Sequence, residues 1–192
     1  MPKIIYCSRT HSQLAQVQRE CKNLAFKPRT VLVASRDHLC VNASINVNKG
    51  FALNAACQAS KKGINPCSYY KNLDNGKKHM SWDPMDIEEI HTLAKKWTYC
   101  PYYTTKDRVA GADLIFMPYN YLIDEKIREN FELNYNNSII IFDEAHNVAP
   151  SSEEVTSFEV KSGYLDKCVL ELKSLHEAKS TNDDKEYKTN DD

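Results

Sequence analysis

Four short apolar runs constrain this chain more than any other feature: KIIYC at 3–7, VLVAS at 31–35, DLIFM at 113–117 and SIIIF at 138–142. Each is too brief for a helix, and none alternates with polar residues as a half-exposed strand would. Such runs read as strands buried on both faces, the condition of a parallel sheet covered by helices. Between the first two, Thr10 and Gln13 form a capping box, and Leu14, Val17, Cys21 and Leu24 fall on one helical face before Pro28 ends the element. Strand, helix, strand is the signature of an α/β unit with a parallel sheet.

The 192 residues suffice for one sizeable core and a small appended unit. No apolar run is long enough for a bilayer and no signal-like region follows Met1, so a soluble, intracellular chain is expected, with no membrane partner. Residues 1–150 hold 19 Lys+Arg against 15 Asp+Glu, and residues 151–192 hold 6 against 11. A body at +4 beside a tail at −5 permits a polyanion partner without requiring one. The lysine pairs at 61, 77 and 95 are too short to read as import signals.

From Cys40 to about Tyr103 the apolar periodicity fades, and little core is expected from that stretch alone. One helix stands out there, opening at Asp83-Pro84 with Pro in its first turn, Asp86, Glu88 and Glu89 early, and Lys95 and Lys96 late. Further on, 119–130 and 151–175 read as helical, and the polar stretch 179–192 as disordered.

Three groups of residues carry candidate chemistry. The apolar run 139–142 leads directly into Asp143 and Glu144, with His146 two residues on, and a buried strand ending this way places carboxylates at the carboxyl edge of a sheet. Such an Asp can organise Mg²⁺, and such a Glu can deprotonate an attacking water. A solvated acidic turn is the plain alternative. Seven cysteines, an odd number, disfavour disulfides in a chain without an export signal. Cys7, Cys21 and Cys168 occupy strand or helix positions and read as small hydrophobes, whereas Cys40, Cys57, Cys67 and Cys100 lie in the core-poor stretch. Their intervals contain no C-x-x-C pair, so spacing leaves a metal site and unrelated free thiols both open. Ser8, Arg9 and Thr10 gather hydroxyls and a guanidinium at a helix start, and Ser35 with Arg36 repeats that chemistry. This is a phosphate-contact site or simply a capped helix. Tyr69, Tyr70, Tyr102, Tyr103, Tyr119 and Tyr121 could stack bases, and tyrosine is equally ordinary in a core.

In order, IIYCSRTHSQ, SRDHLC, the spaced cysteines, CPYY, ADLIFMPYNYLID and IIIFDEAHNV resemble the XPD-like superfamily 2 iron-sulfur DNA helicases from residue 3 to about 150, more loosely to 175. The resemblance implies a partial RecA-like motor domain (1–39 and 104–150) interrupted by an iron-sulfur insertion (40–103), then the start of a helical arch insertion (151–178) and a tail. It implies an ATP-driven 5′-to-3′ helicase acting on single-stranded or branched DNA in repair, recombination or telomere maintenance, in the nucleus. Cys40, Cys57, Cys67 and Cys100 would bind a 4Fe-4S cluster. Asp143 would organise Mg²⁺ and ATP, Glu144 would act as general base, and His146 would couple nucleotide state to DNA. Ser8, Arg9, Thr10 and Arg36 would meet DNA. Ala34 departs from the family's usual Gly before Ser-Arg. A larger departure is that no G-x-x-x-x-G-K-[ST] loop occurs, and the chain has only five glycines, all isolated. The expectation is therefore a piece of such a helicase that does not hydrolyse ATP alone. The alternatives are a non-catalytic single-strand-binding module and a cysteine site holding structural zinc.

Overall fold

The computed structural model describes residues 2–63, 66–131, 133, 135–159 and 162–186. The four apolar runs form one sheet of four parallel strands: β1 (Lys3–Ser8), β2 (Thr30–Leu32), β3 (Leu114–Pro118) and β4 (Ser138–Phe142), in the order β2-β3-β1-β4. β1 is the spine of the sheet, with Ile5 beside Ile115 on one side and Ile140 on the other. Its neighbours β3 and β4 are its partners because both runs are apolar over the full length that β1 offers.

Two cores sandwich the sheet, sorted by strand alternation. Ile5, Cys7, Val31, Val33, Ile115 and Met117 face one, with Tyr119, Tyr121, Leu122 and Phe131 laid over them. Leu32, Ala34 and Phe116 face the other, under Leu14 of α1 (His11–Cys21). The capping box at Thr10 and Gln13 forms as expected. Leu24 lies beyond the end of α1, and the helix buries Gln18 along with Leu14; Gln18 Nε2 donates to the Met85 carbonyl at 2.8 Å.

β4 departs from expectation: it is an edge strand, and Ile139, Ile140, Ile141 and Phe142 stay 49, 41, 40 and 37 % exposed. Its composition is that of a central strand, but among the described residues nothing pairs with its outer edge. The stretch from Cys40 onward also differs, because it shares the core of the sheet. It folds into α3 (Gly50–Lys62), α4 (Ser68–Lys71), α5 (Leu73–His79), α6 (Ile87–Trp97) and α7 (Pro101–Arg108), preceded by the short α2 (Arg36–Leu39). Met80, Ile90, Ala94 and Tyr99 join Leu14, Leu39 and Phe116 in the second core. These few large side chains are separated by several short helices, so no long periodicity announces them.

Helix α6 begins later than expected. Asp86 is its N-cap, accepting from the Glu89 amide at 2.9 Å while Glu89 accepts from the Asp86 amide at 3.0 Å, and Pro84 stays outside. The helix expected over 119–130 is two, α8 (Asn120–Ile123) and α9 (Glu125–Asn130), because extended Asp124 ends the first and caps the second. After β4 comes α10 (Val148–Thr156). The chain divides into two compact units at residue 155, and the second contains α11 (Ser162–Glu186). That helix runs through 179–186, expected to be disordered, as a continuation of the turns that precede it. Residues 187–192 of that expectation lie outside the described residues.

Among the glycines, Gly76 in α5 is the most closely packed. A Cβ there would meet the Thr104 side chain and lie 2.9 Å from Tyr99 Cδ2. Gly76→Ala gains helix propensity of about 1 kcal/mol but overpacks a buried contact at a cost of about 1–3 kcal/mol or more. The clash should win. The expected outcome is a net loss of about 1–2 kcal/mol in urea unfolding; an unchanged midpoint would show that α5 can shift freely.

Candidate functional site

Because all four strands run parallel, their carboxyl ends lie along one edge. β1 ends at Ser8, β2 leads to Ser35, β3 to Tyr119, and β4 to Asp143 and Glu144. An open cavity of about 710 Å³ follows this edge, lined by residues that include Arg9, Thr10, His11, Ser35, His38 and Asn120. Most of the residues lining it carry hydroxyl, amide, imidazole or guanidinium groups, with one carboxylate, Glu154, among them. These are suited to phosphate and sugar oxygens.

Ser8 does not line it. It is fully buried, and its hydroxyl donates to Gln13 Oε1 at 2.7 Å, bracing the start of α1. Arg9 and Thr10 do line it. Arg9 Nη1 donates to Asn147 Oδ1 at 3.2 Å, joining the end of β1 to the loop after β4. Sequence reasoning did not single out Asn147. Its only signal was its place immediately after His146.

Asp143 is half-buried and its amide donates to the Cys7 carbonyl at 2.8 Å, extending the β1–β4 pairing by one residue. Burial and the adjacent Asp143 carboxylate push the Tyr6 hydroxyl up to about 12, so Tyr6 stays a neutral donor beside that acid. Glu144 adopts a left-handed conformation (φ 52°, ψ 51°), which costs a non-glycine residue about 1–2 kcal/mol. Its carbonyl accepts from Tyr119 Oη at 3.1 Å and from Asn147 Nδ2 at 3.2 Å, holding the turn. Glu144 Oε2 lies 3.4 Å from His146 Nδ1, and both side chains are more than half exposed. Asp143, Glu144 and His146 thus share one exposed turn at the edge of the sheet.

A second pocket opens beside the first, with Ser35 and Tyr121 in both linings. Arg36 is its centre. Its guanidinium lies 4.1 Å from the Tyr102 ring centroid and donates to Tyr103 Oη at 2.9 Å and Asn54 Oδ1 at 3.0 Å. Burial works against the charge, but the Tyr103 hydroxyl and surrounding rings outweigh it and its pKa is raised. Lys61 and Lys106 line the same pocket. Of the candidate stacking tyrosines, Tyr119 and Tyr121 are core residues, whereas Tyr102 and Tyr103 frame Arg36.

The four insert cysteines converge. Cys40, Cys57, Cys67 and Cys100 line one pocket with Ile45, Tyr69 and Pro101 among its other walls, and the lining holds no carboxylate or imidazole. Asn42 Nδ2 donates to Cys67 Sγ at 3.2 Å, and the Cys100 amide donates to the Tyr69 carbonyl at 2.8 Å. Burial pushes Cys100 up to about 12 and raises Cys40, with neighbouring cysteines adding to both. Among the described residues no three His, Cys, Asp or Glu are near enough to hold a single metal ion. The cavity between them is only about 20 Å³. In number and chemistry the donors suit a thiolate-bound cluster. Cys7, in β1, is buried in the first core as its small-hydrophobe reading expects, whereas Cys21 is only partly buried and Cys168 is exposed, against the same reading.

Residues 6–165 match the DEAD_2 family, and the chain belongs to it. It is similar to the "Regulator of telomere elongation helicase 1 homolog" of Arabidopsis thaliana, 41 % identical over 88 % of this chain and 17 % of that protein. It is also similar to "Regulator of telomere elongation helicase 1" of Mus musculus, 37 % identical over 83 % of this chain and 14 % of that protein. The chain therefore spans less than a fifth of these relatives' length. Among solved structures, "XPD_Helicase" shares the fold with a TM-score of 0.53 at 21 % identity, over 76 % of this chain and 25 % of that one. "Truncated XPD" does so with a TM-score of 0.52, also at 21 % identity, over 76 % of this chain and 41 % of that one. Among the described residues, no helix is long and apolar enough to cross a membrane.

One consequence of the site geometry is measurable in stability. Burial and the His38 ring, 4.4 Å away between centroids, lower the His11 pKa to about 4. Above about pH 6.5 both folded and unfolded forms are neutral; below it only the unfolded form takes up the proton, until the folded pKa is reached. Stability should therefore fall as pH drops from about 6.5 to 4, and less steeply in His11→Asn. Equal slopes of urea midpoint against pH in the two proteins would remove His11 as the cause.

Proposed function

We propose that this chain is part of an ATP-dependent 5′-to-3′ DNA helicase carrying a 4Fe-4S cluster, acting in the nucleus in DNA repair, recombination or telomere maintenance. Its own contribution would be a track for single-stranded DNA along the carboxyl edge of the sheet. The observation that best supports this is the joining of Arg9, at the cavity mouth, to Asn147, in the same turn as Asp143 and Glu144. A change in the acidic turn is thereby transmitted to a residue positioned for phosphate.

In this reading Arg9 and Thr10 meet the DNA backbone, Ser8 positions them from beneath, and Arg36 meets the strand between Tyr102 and Tyr103. Asp143 would hold Mg²⁺, which when bound with ATP neutralises developing phosphate charge. Glu144 would orient and deprotonate the attacking water, and His146, 3.4 Å from the Glu144 carboxylate, would couple nucleotide state to DNA. No residue of this chain supplies a phosphate-cradling glycine loop, so half of a hydrolysis centre is present. The four insert thiols would hold the cluster, which when bound would cross-link the end of α2, the middle of α3 and the starts of α4 and α7. A non-catalytic single-strand-binding module remains the second reading, favoured by the same track and the same missing loop.

In fluorescence anisotropy with a labelled oligo-dT, the chain should bind, and Arg9→Ala should weaken binding about tenfold at low salt, as loss of a charge-assisted phosphate contact of about 1.5 kcal/mol implies. The chain alone should show no DNA-stimulated ATPase. Turnover above background would overturn the half-site reading, and unaltered affinity in Arg9→Ala would overturn the track.

For the cysteines, protein purified without oxygen should carry about four iron per chain and absorb visible light. Cys67→Ser or Cys100→Ser should lose both and become more sensitive to protease between α3 and α7. A colourless protein with stoichiometric zinc would instead establish the structural-zinc alternative.

A further inference from the structure

Two of the lysine pairs left without a role by the sequence meet at one spot on the insert. α5 ends in Lys77, Lys78 and His79, and α6 ends in Lys95, Lys96 and Trp97. The two ends are locked together. Asn75 Nδ2 donates to the Trp97 carbonyl at 2.9 Å, and the His79 and Trp97 rings stack at 3.7 Å with an interplanar angle of 3°. All six residues from 77 to 79 and 95 to 97 are exposed, Trp97 at 37 %.

Lysines in a last helical turn complement the helix dipole, and that accounts for a cation at each end. It does not account for the remainder. Lys77 has an exposed partner in Asp74 at 3.3 Å, but among the described residues Lys78, Lys95 and Lys96 form no ion pair. The acids of α6 are at its other end, where Glu89 binds Lys22 at 2.6 Å. Charge on this helix is therefore segregated, leaving three ammonium groups without an ion pair among the described residues, one of which, Lys96 Nζ, lies 5.5 Å from the Trp97 ring centroid beside a flat, solvent-reached aromatic pair. None of these residues lines either pocket at the sheet edge.

We infer that this patch is a second contact for single-stranded nucleic acid, with phosphates on Lys78, Lys95 and Lys96 and an unpaired base against the Trp97–His79 stack. The inference rests on the reading that the chain binds single-stranded DNA, and adds to it a site on a different surface. An acidic peptide would satisfy the lysines but would have no need of the stack, which is the feature that selects a base. The stack is preorganised by the Asn75 contact, so binding orders little that is not already ordered.

The test uses the same anisotropy assay with oligo-dT and with an abasic strand of equal length. Lys78→Ala/Lys95→Ala/Lys96→Ala should weaken oligo-dT binding at least about tenfold at low salt and reduce the slope of log K against log salt by about 2, near 0.7 per phosphate. Replacing the same three by Arg should restore both. Trp97→Leu should weaken oligo-dT at least about fivefold while leaving the abasic strand nearly unchanged. Thermal melting of each variant separates lost contacts from lost fold. Binding with affinity and slope unaltered in the lysine variant overturns this inference and leaves the track at the sheet edge intact. A patch effect that is equal for oligo-dT and the abasic strand in Trp97→Leu overturns the stacking half and establishes a phosphate-only contact. No binding by the unaltered chain overturns both sites together.

Discussion

The pairing of β1 with β3 on one side and β4 on the other is the constraint on which everything functional depends. Parallel strands in register set Ser8 beside Pro118 and Cys7 beside Phe142, so the loops that follow have no choice but to share one edge. That is why residues as distant in sequence as Arg9 and Asn147 can be 3.2 Å apart. The pairing is apolar on both faces for β1 and β3, and each Ile, Phe or Met fully buried there contributes about 1.5–3 kcal/mol. A polar substitution at Ile5 or Ile115, both fully buried, would therefore disturb the site by disturbing the level of the strand ends.

The insert is anchored by the same sheet. Leu14 and Phe116 from the sheet layer and Ile90, Ala94 and Tyr99 from the insert occupy a single core. Arg36 sits at the junction. It follows β2, stacks on Tyr102 at the start of α7, and donates to the hydroxyl of Tyr103, which also lines the cysteine pocket. Anything that spreads or draws together the four thiols would move α7, and with it Tyr102 and Tyr103 around the guanidinium. The cysteine pocket and the sheet edge are in this way mechanically continuous, through one cation and two rings.

Much of this was legible in sequence where chemistry is local. The capping box at Thr10 and Gln13, the four strands and the acid pair after SIIIF each depend on neighbours within a few residues. The convergence of Cys40, Cys57, Cys67 and Cys100 was not legible from spacing, because four short helices carry the chain between them and no fixed interval survives such a path. Family likeness supplied it instead. Asp124 splitting a helix, and Asp86 rather than Pro84 opening one, were both readable as capping residues but were overridden by the longer apolar pattern around them. Ser8 was misplaced for a different reason: a hydroxyl at a strand end looks available until the fold buries it, and only then does Gln13 emerge as its partner.

The acid pair itself was expected at the end of a buried strand, and it lies instead at the end of an exposed edge. The difference has physical content. An open edge of four apolar residues exposes unpaired backbone groups together with side chains that gain from burial, the pattern that invites another strand. Asp143 and Glu144 are positioned by that same strand, and Glu144 is held in a strained left-handed turn by Tyr119 and Asn147 rather than by packing of β4. The turn is thus held by Tyr119, just beyond β3, and by its own Asn147, while among the described residues nothing pairs with the outer side of the strand beneath it. Covering that edge would stiffen β4 without having to build the acidic turn, because the bonds that shape the turn come from residues already in place.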